Sequence, residues 1–293
     1  RDVPASHRFP MGKFRAVAER VIEAGLVEDW DSFHKPIPAP AAWLETAHSG
    51  AYVDQVLTQR VPADLERRIG FKMSEPVATR SRCAVAGTVL AARLALEHGA
   101  ACNTAGGSHH AAHDGGAGFC VFNDVAVAVR LLTGEGAVRR VLVVDLDVHQ
   151  GDGTARIFAD EPDVFTLSVH CEENWPRRKA VSDMDVGVTK GTGDADYLRI
   201  ARAAVEEALD AARPDLVFFN AGVDPHRDDR LGLLDLTDQG LARREAMVFE
   251  AVMRRGAPVC GVLGGGYSRD LDALSRRHAL LHKAAADALK AFA

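Results

Sequence analysis

The chain has 293 residues, of which 47% are hydrophobic and 26% charged, a composition that excludes disordered, collagen-like and membrane-embedded chains. Its 41 acidic and 35 basic residues give a net charge of −6, and because no basic stripe stands out we expect no direct binding to nucleic acid. The sequence shows no apolar run near the ~18 residues of a membrane helix, no signal-peptide pattern and no CxxC spacing among its five cysteines, so we expect a cytoplasmic protein without membrane insertion.

The predicted elements begin with helices, which then alternate regularly with strands. Amphipathic or buried helical patterns cover residues 11–25 and 79–99, and a short strand is predicted at 100–104. Val-rich runs then predict buried parallel strands, with helical segments between them: strands 138–146, 164–169, 216–221 and 258–263, and helices 121–132, 154–159, 194–212, 238–255 and 269–292. This alternation predicts one α/β domain over residues 1–293, with a single largely parallel sheet and ligands bound beyond the carboxyl ends of its strands.

Polar side chains alternate at the end of the strand predicted at 138–146. Asp145, Asp147 and His149 are spaced two residues apart, so on an extended strand they point to one face. Burying these groups without a cation would cost roughly several kcal/mol each. Imidazole and carboxylate ligands suit Zn²⁺ or Fe²⁺. The alternative is a strand end that frays into solvent and carries ordinary polar residues.

Asp224 lies just beyond the strand predicted at 216–221. Alone it is a weak signal, because Asp before a proline is also common in turns. Together with Asp147 and His149 it would complete a set of three protein ligands with a fourth position open. That arrangement is typical of catalytic zinc, whereas structural zinc is usually closed by four protein ligands.

Two further groups of polar residues follow other predicted strands. His109 and His110 lie on a Gly-rich loop after residues 100–104, where one imidazole can act as a base and the other as an acid or an electrostatic support. Three glycines precede Tyr267, and they would let its phenol turn into a cleft and donate a hydrogen bond to an oxyanion. The alternatives are a loop of exposed histidines and an ordinary surface tyrosine.

Five motifs, all in family order, resemble those of the histone deacetylase family: Gly107-Ser-His-His110, Gly118-Phe-Cys-Val-Phe-Asn-Asp124, Asp145-Leu-Asp-Val-His-Gln-Gly-Asp-Gly153, Asn220-Ala-Gly-Val-Asp224 and Gly264-Gly-Gly-Tyr267. The resemblance covers nearly the whole chain. Gln150, Trp175-Pro-Arg-Arg178 and Asp229-Arg-Leu-Gly232 are most similar to class IV members and their bacterial relatives. The resemblance implies an arginase-like, three-layer α/β/α fold and a zinc-dependent enzyme that removes acetyl or longer acyl groups from Nε-acyl-lysine in proteins or peptides.

The resemblance also implies roles for single residues by motif position. Zn²⁺, or alternatively Fe²⁺, would be bound by Asp147, His149 and Asp224. The catalytic group would comprise a general base and acid with its carboxylate partner, a second imidazole with its own carboxylate, and an oxyanion donor: respectively His110 with Asp152, His109 with Asp145, and Tyr267.

Substrate and potassium contacts are implied in the same way. The tunnel for the acyl-lysine stem would be lined by Gly118, Phe119, Leu231 and Trp175, and a K⁺ ion would be held by Asp145, Asp147, His149, Ser168 and Val169. Polyamine-selective relatives carry an acidic gatekeeper where this chain has Leu231, so a neutral or apolar substrate is favoured.

Two other functions stay open at this point. The first is hydrolysis of acetylpolyamines or other small amides, and the second is a catalytically silent module that binds acyl-lysine. The second would normally show a lost ligand, histidine or tyrosine, and none is missing here. Outside the motifs, we expect His226, His278 and His282 to be exposed surface residues.

Overall fold

A single parallel sheet organises the molecule. The computed structural model describes residues 7–292, and within them six strands form one sheet in the order β1-β6-β5-β2-β3-β4, with every neighbouring pair parallel. The strands are β1 (Ala100–Cys102), β2 (Val141–Asp145), β3 (Val164–Cys171), β4 (Met184–Val188), β5 (Leu216–Asn220) and β6 (Val259–Val262).

Helices cover both faces of this sheet. They are α1 (Lys13–Glu23), α2 (Ala41–Leu44), α3 (Gly50–Leu57), α4 (Ala63–Ile69), α5 (Glu75–His98), α6 (Asp124–Gly134), α7 (Asp152–Phe158), α8 (Asp194–Ala212), α9 (Asp238–Met253) and α10 (Leu271–Phe292), with a 3₁₀ turn at Trp30–Ser32. Among them, none combines the length and the apolar character that crossing a bilayer requires.

Alternate residues of the central strands feed two separate cores. Val141 and Val143 of β2 pack into a core that includes residues of α5 and α6, whereas Leu142 and Val144 pack into a second core with residues of α8, α9 and α10. Because both faces are covered, the central strands are continuous apolar runs. The predicted three-layer α/β/α arrangement is therefore confirmed.

Strand β4 and helices α2 to α4 were not among the predicted elements. In β4 partly buried and exposed positions alternate before the buried Val188, and its sequence contains Asp185 and Gly187, so this edge strand lacks the apolar run that marked the others. Helices α2 to α4 have four, eight and seven residues, which is too short for a helical period to stand out.

The expectation that three histidines would be exposed is wrong for His226 and His278, which are 4% and 1% exposed. His282 is half-buried, and no hydrogen-bond partner among the described residues reaches its Nε2. His278 lies on α10 on the apolar face that also carries Leu274 and Leu281. His278 follows Leu274 by four residues and precedes Leu281 by three, which is the spacing of one helix face. This spacing indicates burial, although histidine is a polar residue.

Candidate metal centre and active site

Three of the predicted ligands lie together beyond the carboxyl ends of β2 and β5. Each of Asp147, His149 and Asp224 offers one ligand atom, and these atoms lie within 4.8 Å of one another. His149 Nδ1 is 3.0 Å from Asp147 Oδ1 and 3.1 Å from Asp224 Oδ2. All three side chains are buried. These residues lie together because β2 and β5 are neighbouring parallel strands that end side by side, with Asp145 opposite Asn220.

The charges of this cluster fit a divalent cation. Burial, and then the charge of Asp147, raise the pKa of the Asp224 carboxyl group, as expected for two buried acids that lie close together. Burial lowers the pKa of His149, but its hydrogen bonds to Asp147 and Asp224 outweigh this and raise it to about 10. Within the described residues no lysine or arginine forms an ion pair with either carboxylate. Two oxygen donors and one imidazole suit Zn²⁺ or Fe²⁺.

Backbone N–H groups fix the two carboxylates. Val148 donates to Asp224 Oδ1 at 2.9 Å, and Gly265 donates to Asp147 Oδ2 at 2.7 Å. A Cβ atom at position 265 would lie only 2.6 Å from Asp147 Oδ2, so only glycine allows this approach. The glycines before Tyr267 therefore allow the backbone to approach the two carboxylates closely, in addition to leaving room for the phenol to turn toward the site.

The two neighbouring histidines each bind a different carboxylate. His109 Nδ1 lies 2.7 Å from Asp145 Oδ2, and His110 Nδ1 lies 2.7 Å from Asp152 Oδ1. Their rings are 4.0 Å apart, and the ring of His110 lies 5.8 Å from that of His149. Both predicted histidine–carboxylate pairs are thus present beside the metal-ligand cluster.

The environment gives these two histidines different protonation states. Burial lowers the pKa of His109, but Asp145 and Asp147 outweigh it and raise that pKa to about 9. Burial and the charge of His109 lower the pKa of His110 to about 3, despite Asp152. At neutral pH His109 is therefore a cation, while His110 is a neutral imidazole that can accept a proton.

Tyr267 faces the same cluster from the loop after β6. Its ring lies 6.2 Å from that of His149. Burial, and then the charges of Asp147 and Asp224, raise the pKa of its phenol well above the usual value, so the hydroxyl stays protonated. The Tyr267 N–H donates to Asp229 Oδ2 at 2.7 Å, which fixes the backbone from which the phenol projects.

Phe119 forms one wall of the cleft. Its ring lies 5.7 Å from Tyr267, and Phe71 and Phe9 pack behind it at 5.6 and 5.5 Å. Its φ of +68° is unusual for a bulky residue and is held by backbone bonding, since Phe119 N–H donates to Ile69 O at 2.7 Å. A Cβ atom at Gly118 would lie 2.6 Å from His110 Cδ2, so the wall approaches the histidine closely.

Trp175 and Leu231 lie on the other loops around the cleft. The Trp175 ring packs edge-on against His110 at 4.6 Å and remains 45% exposed. Leu231 is partly buried against the core that includes Tyr267. Gly118 and Phe119 line the cleft beside the histidines, and Trp175 borders it through its contact with His110, whereas a tunnel role for Leu231 stays a prediction.

The residues of the expected potassium site lie behind this cluster. Strand β3 pairs with β2 so that Ser168 lies opposite Asp145, and Val169 is the next residue along β3. Ser168 Oγ lies 3.0 Å from His170 Nδ1. Binding of K⁺ there stays a prediction.

Several residues that support the site were missed from the sequence. Lys13 of α1 is buried and donates to Gly264 O at 3.0 Å, and burial lowers its pKa to about 8. The carboxylate of Asp124 accepts the N–H groups of Gly107 and Ser108 and so shapes the histidine loop. Asn174 forms two hydrogen bonds to the backbone of the loop that carries Leu231 and Leu233. No local pattern marks such residues, because their partners are backbone groups far along the chain.

Comparison with known proteins agrees with this geometry. The model of the histone deacetylase domain matches residues 7–283. An uncharacterized protein of Picosynechococcus sp. is 48% identical over 285 residues, covering 97% of this chain and 95% of that protein. Histone deacetylase 2 of Arabidopsis thaliana is 31% identical over 272 residues, covering 90% and 70%, respectively. A probable deacetylase of Methanothermobacter thermautotrophicus is 32% identical over 209 residues, covering 67% and 61%.

Solved structures show the same architecture. The crystal structure of the HDA15 HD domain matches with a TM-score of 0.80 at 25% identity, covering 99% of this chain and 90% of that one. A histone deacetylase homologue in complex with SAHA matches with a TM-score of 0.78 at 25% identity, covering 98% and 85%. The expected arginase-like fold is thus confirmed, and the chain belongs to the histone deacetylase family of hydrolases.

Proposed function

We propose that this protein is a metal-dependent amidohydrolase that removes acetyl or longer acyl groups from the Nε-amine of lysine in proteins or peptides. One observation carries the proposal: a cation-binding cluster, a neutral imidazole oriented by a carboxylate, and a protonated phenol converge in one buried site. Family membership makes an acylated protein or peptide the natural class of substrate to test.

The metal ion would be bound by Asp147, His149 and Asp224, and we propose Zn²⁺, with Fe²⁺ as a second ion that suits the same donors. When bound, such an ion polarises the amide carbonyl and lowers the pKa of its water toward about 7. A K⁺ ion near Asp145 and Ser168 is proposed as a structural companion.

His110 would be the general base and then the general acid. Asp152 accepts a hydrogen bond from the Nδ1–H group, so Nε2 carries the free lone pair and can take a proton from water. The same proton can then be delivered to the departing lysine amine, without which the C–N bond would not break. His109, a cation beside Asp145, would supply electrostatic support.

Tyr267 would donate its hydroxyl proton as a hydrogen bond to the oxyanion that develops on the carbonyl oxygen. A donor is useful here only if it is protonated and fixed in place before reaction. Both conditions are supported, by the raised pKa of the phenol and by the hydrogen bond from its backbone to Asp229.

The acyl-lysine stem would pass between Phe119 and Trp175, with Gly118 beside His110 and Leu231 at the rim. Aromatic walls suit a methylene chain because they bury apolar surface without demanding hydrogen bonds. The absence of an acidic side chain at position 231 favours acyl-lysine over a polycationic acetylpolyamine.

We further propose a single catalytic domain over residues 1–293, of the class IV type suggested by Gln150. A reducing compartment, the cytoplasm, is proposed because all five cysteines are free.

The test is hydrolysis of lysine peptides that carry acetyl, butyryl, octanoyl or myristoyl groups. We expect turnover that disappears on chelation, and Tyr267→Phe should lower kcat by about 10²- to 10³-fold with KM little changed. Phenylalanine keeps the ring that packs against Phe119, so the Tyr267→Phe variant should fold normally and any loss of activity reports the missing hydroxyl group.

Absence of turnover on every peptide by metal-loaded protein would contradict the proposal. Activity on acetylpolyamines would then indicate the small-amide alternative. Binding of acyl-lysine peptides without hydrolysis of either substrate would indicate the silent module.

A further inference from the structure

The loop that carries Trp175 is held by its own lysine. Lys179 Nζ donates to three main-chain carbonyl oxygens, those of Glu172 at 3.1 Å, Asn174 at 2.7 Å and Pro176 at 2.8 Å. An ammonium group has three N–H donors, so this arrangement uses all of them. Within the described part of the chain, Lys179 forms no ion pair, so its charge is committed to closing the loop on both sides of Trp175.

Asn174 ties the same loop to the opposite side of the cleft. Its Nδ2 donates to Leu231 O at 2.7 Å, and its Oδ1 accepts the Leu233 N–H at 3.1 Å. Asn174 is 4% exposed, and its Nδ2 lies 3.4 Å from His149 Nε2. A buried amide with both ends bonded to backbone fixes the separation of two loops that the sheet alone does not join.

Trp175 needs such support, because nearly half of its surface is open to solvent. In the site it contacts the His110 ring in a T-shaped arrangement, with the ring centres 4.6 Å apart. A half-exposed side chain on a free loop would sample several positions, and a ligand would have to order it on binding. A closed loop removes that ordering step.

We propose that Lys179 and Asn174 are positioning residues that hold Trp175 as a preformed wall of the acyl-lysine tunnel. They thereby set the affinity for the acyl-lysine stem and leave the chemical step to the histidines and Tyr267. This inference rests on the proposed function and deepens it, because it names the residues that fix the substrate opening.

The decisive variant is Lys179→Met, which keeps the length of the side chain and removes the ammonium. We expect KM for an acetyl-lysine peptide to rise about five- to twentyfold and kcat to stay within about threefold, because a preformed wall contributes to binding. Lys179→Arg should recover part of the loss. Lys190→Met, at an exposed lysine close to the same loop, is the matched control and should change neither constant.

A second readout needs no turnover. Acrylamide quenching of Trp175, isolated by subtracting the signal of the Trp175→Phe variant, reports how open the indole is in the free protein. Quenching should rise in Lys179→Met and stay unchanged in Lys190→Met. If Lys179→Met does not fold, Asn174→Ala is measured in the same way and is expected to show the same increase.

Unchanged KM and unchanged quenching in Lys179→Met would overturn the proposal, as would a fall in kcat at constant KM. A lower melting temperature without either effect would show a merely structural role and would overturn it too. If the wild-type protein hydrolysed no acyl-lysine peptide, the proposed function would be wrong, while the quenching comparison would still decide the role of Lys179.

Discussion

At the scale of single residues, the two adjacent histidines differ because their carboxylate partners and their neighbours differ. His109 lies close to both Asp145 and Asp147, so it holds a proton, whereas His110 has a single carboxylate partner and a charged neighbour. Asp152, in turn, also forms an ion pair with Arg156. The base of the proposed reaction is thus neutral because of its surroundings, and its tautomer is set by Asp152.

Asp152→Asn tests this tautomer. An amide at position 152 can donate to Nδ1 of neutral His110, which moves the ring proton to Nε2 and blocks the position that must accept the water proton. We expect kcat to fall about 10²-fold or more with little change in KM, measured by steady-state kinetics on an acetyl-lysine peptide. Asp160→Asn, at an exposed acid just beyond α7, is the control. A loss of less than about threefold in Asp152→Asn would contradict the assignment.

Site residues could be predicted from the sequence where polar residues recur at a regular spacing. The alternation of Asp145, Asp147 and His149 marked the site in the sequence, although β2 ends at Asp145 and the other two residues follow it in the loop. Asn174 and Asp229 could not be found in that way, because each acts by bonding to backbone groups of segments far from it in sequence. Such bonds depend on how loops meet after folding, which no local period encodes.

At the scale of elements, a buried histidine joins the loop after His109 and His110 to the start of α6. His48 Nδ1 donates to Ala112 O at 2.9 Å, and its Nε2 accepts the Asn123 N–H at 2.9 Å. Both bonds require the neutral ring. Burial lowers the pKa of His48 to about 4.

His48 should therefore make stability depend on pH. Its pKa is lower in the folded than in the unfolded chain, so its contribution is complete above pH 6.5 and is lost as pH falls toward 4. The loss is on the order of 3 kcal/mol. Urea unfolding at several pH values should show a steeper acid decline for the wild type than for His48→Gln, whose amide does not titrate. Parallel curves for the two proteins would show that His48 contributes nothing to the pH dependence.

Elements were predictable to the extent that they are buried on both faces. Strand β5 is buried throughout and was found within one residue of its ends, whereas the half-exposed edge strand β4 was missed. Short helices such as α4 are stabilised by packing against the rest of the protein more than by the helix propensity of their own residues.

At the scale of the whole molecule, the proposed metal site concentrates buried negative charge in a protein that is already acidic. Asp147 and Asp224 repel each other across a few ångströms, and burial raises the pKa of Asp224. A cation that binds the folded state alone would relieve this repulsion and stabilise the fold by mass action.

Asp224→Asn separates these two effects. At pH 8, Zn²⁺ at about a thousand times its Kd should raise the unfolding free energy of the wild type by about 4 kcal/mol, and Asp224→Asn should lose most of this gain. In the presence of chelator, however, the variant should be at least as stable as the wild type, because one buried charge is gone. Denaturant unfolding with and without chelator measures both quantities. A variant that keeps the full zinc effect would exclude Asp224 as a ligand.

The order of strands in the sheet has a consequence for how the chain folds during synthesis. Strand β1 pairs with β6 alone, so Ala100 can form its hydrogen bonds in the sheet only after Val259 has been synthesised. Lys13 likewise reaches its partner Gly264 only after the 251 residues that follow it have been made. Contacts between such distant residues close large loops and slow folding. The emerging polypeptide therefore cannot assemble its active site until β6 leaves the ribosome, and until then apolar strand edges are open to aggregation or to chaperones.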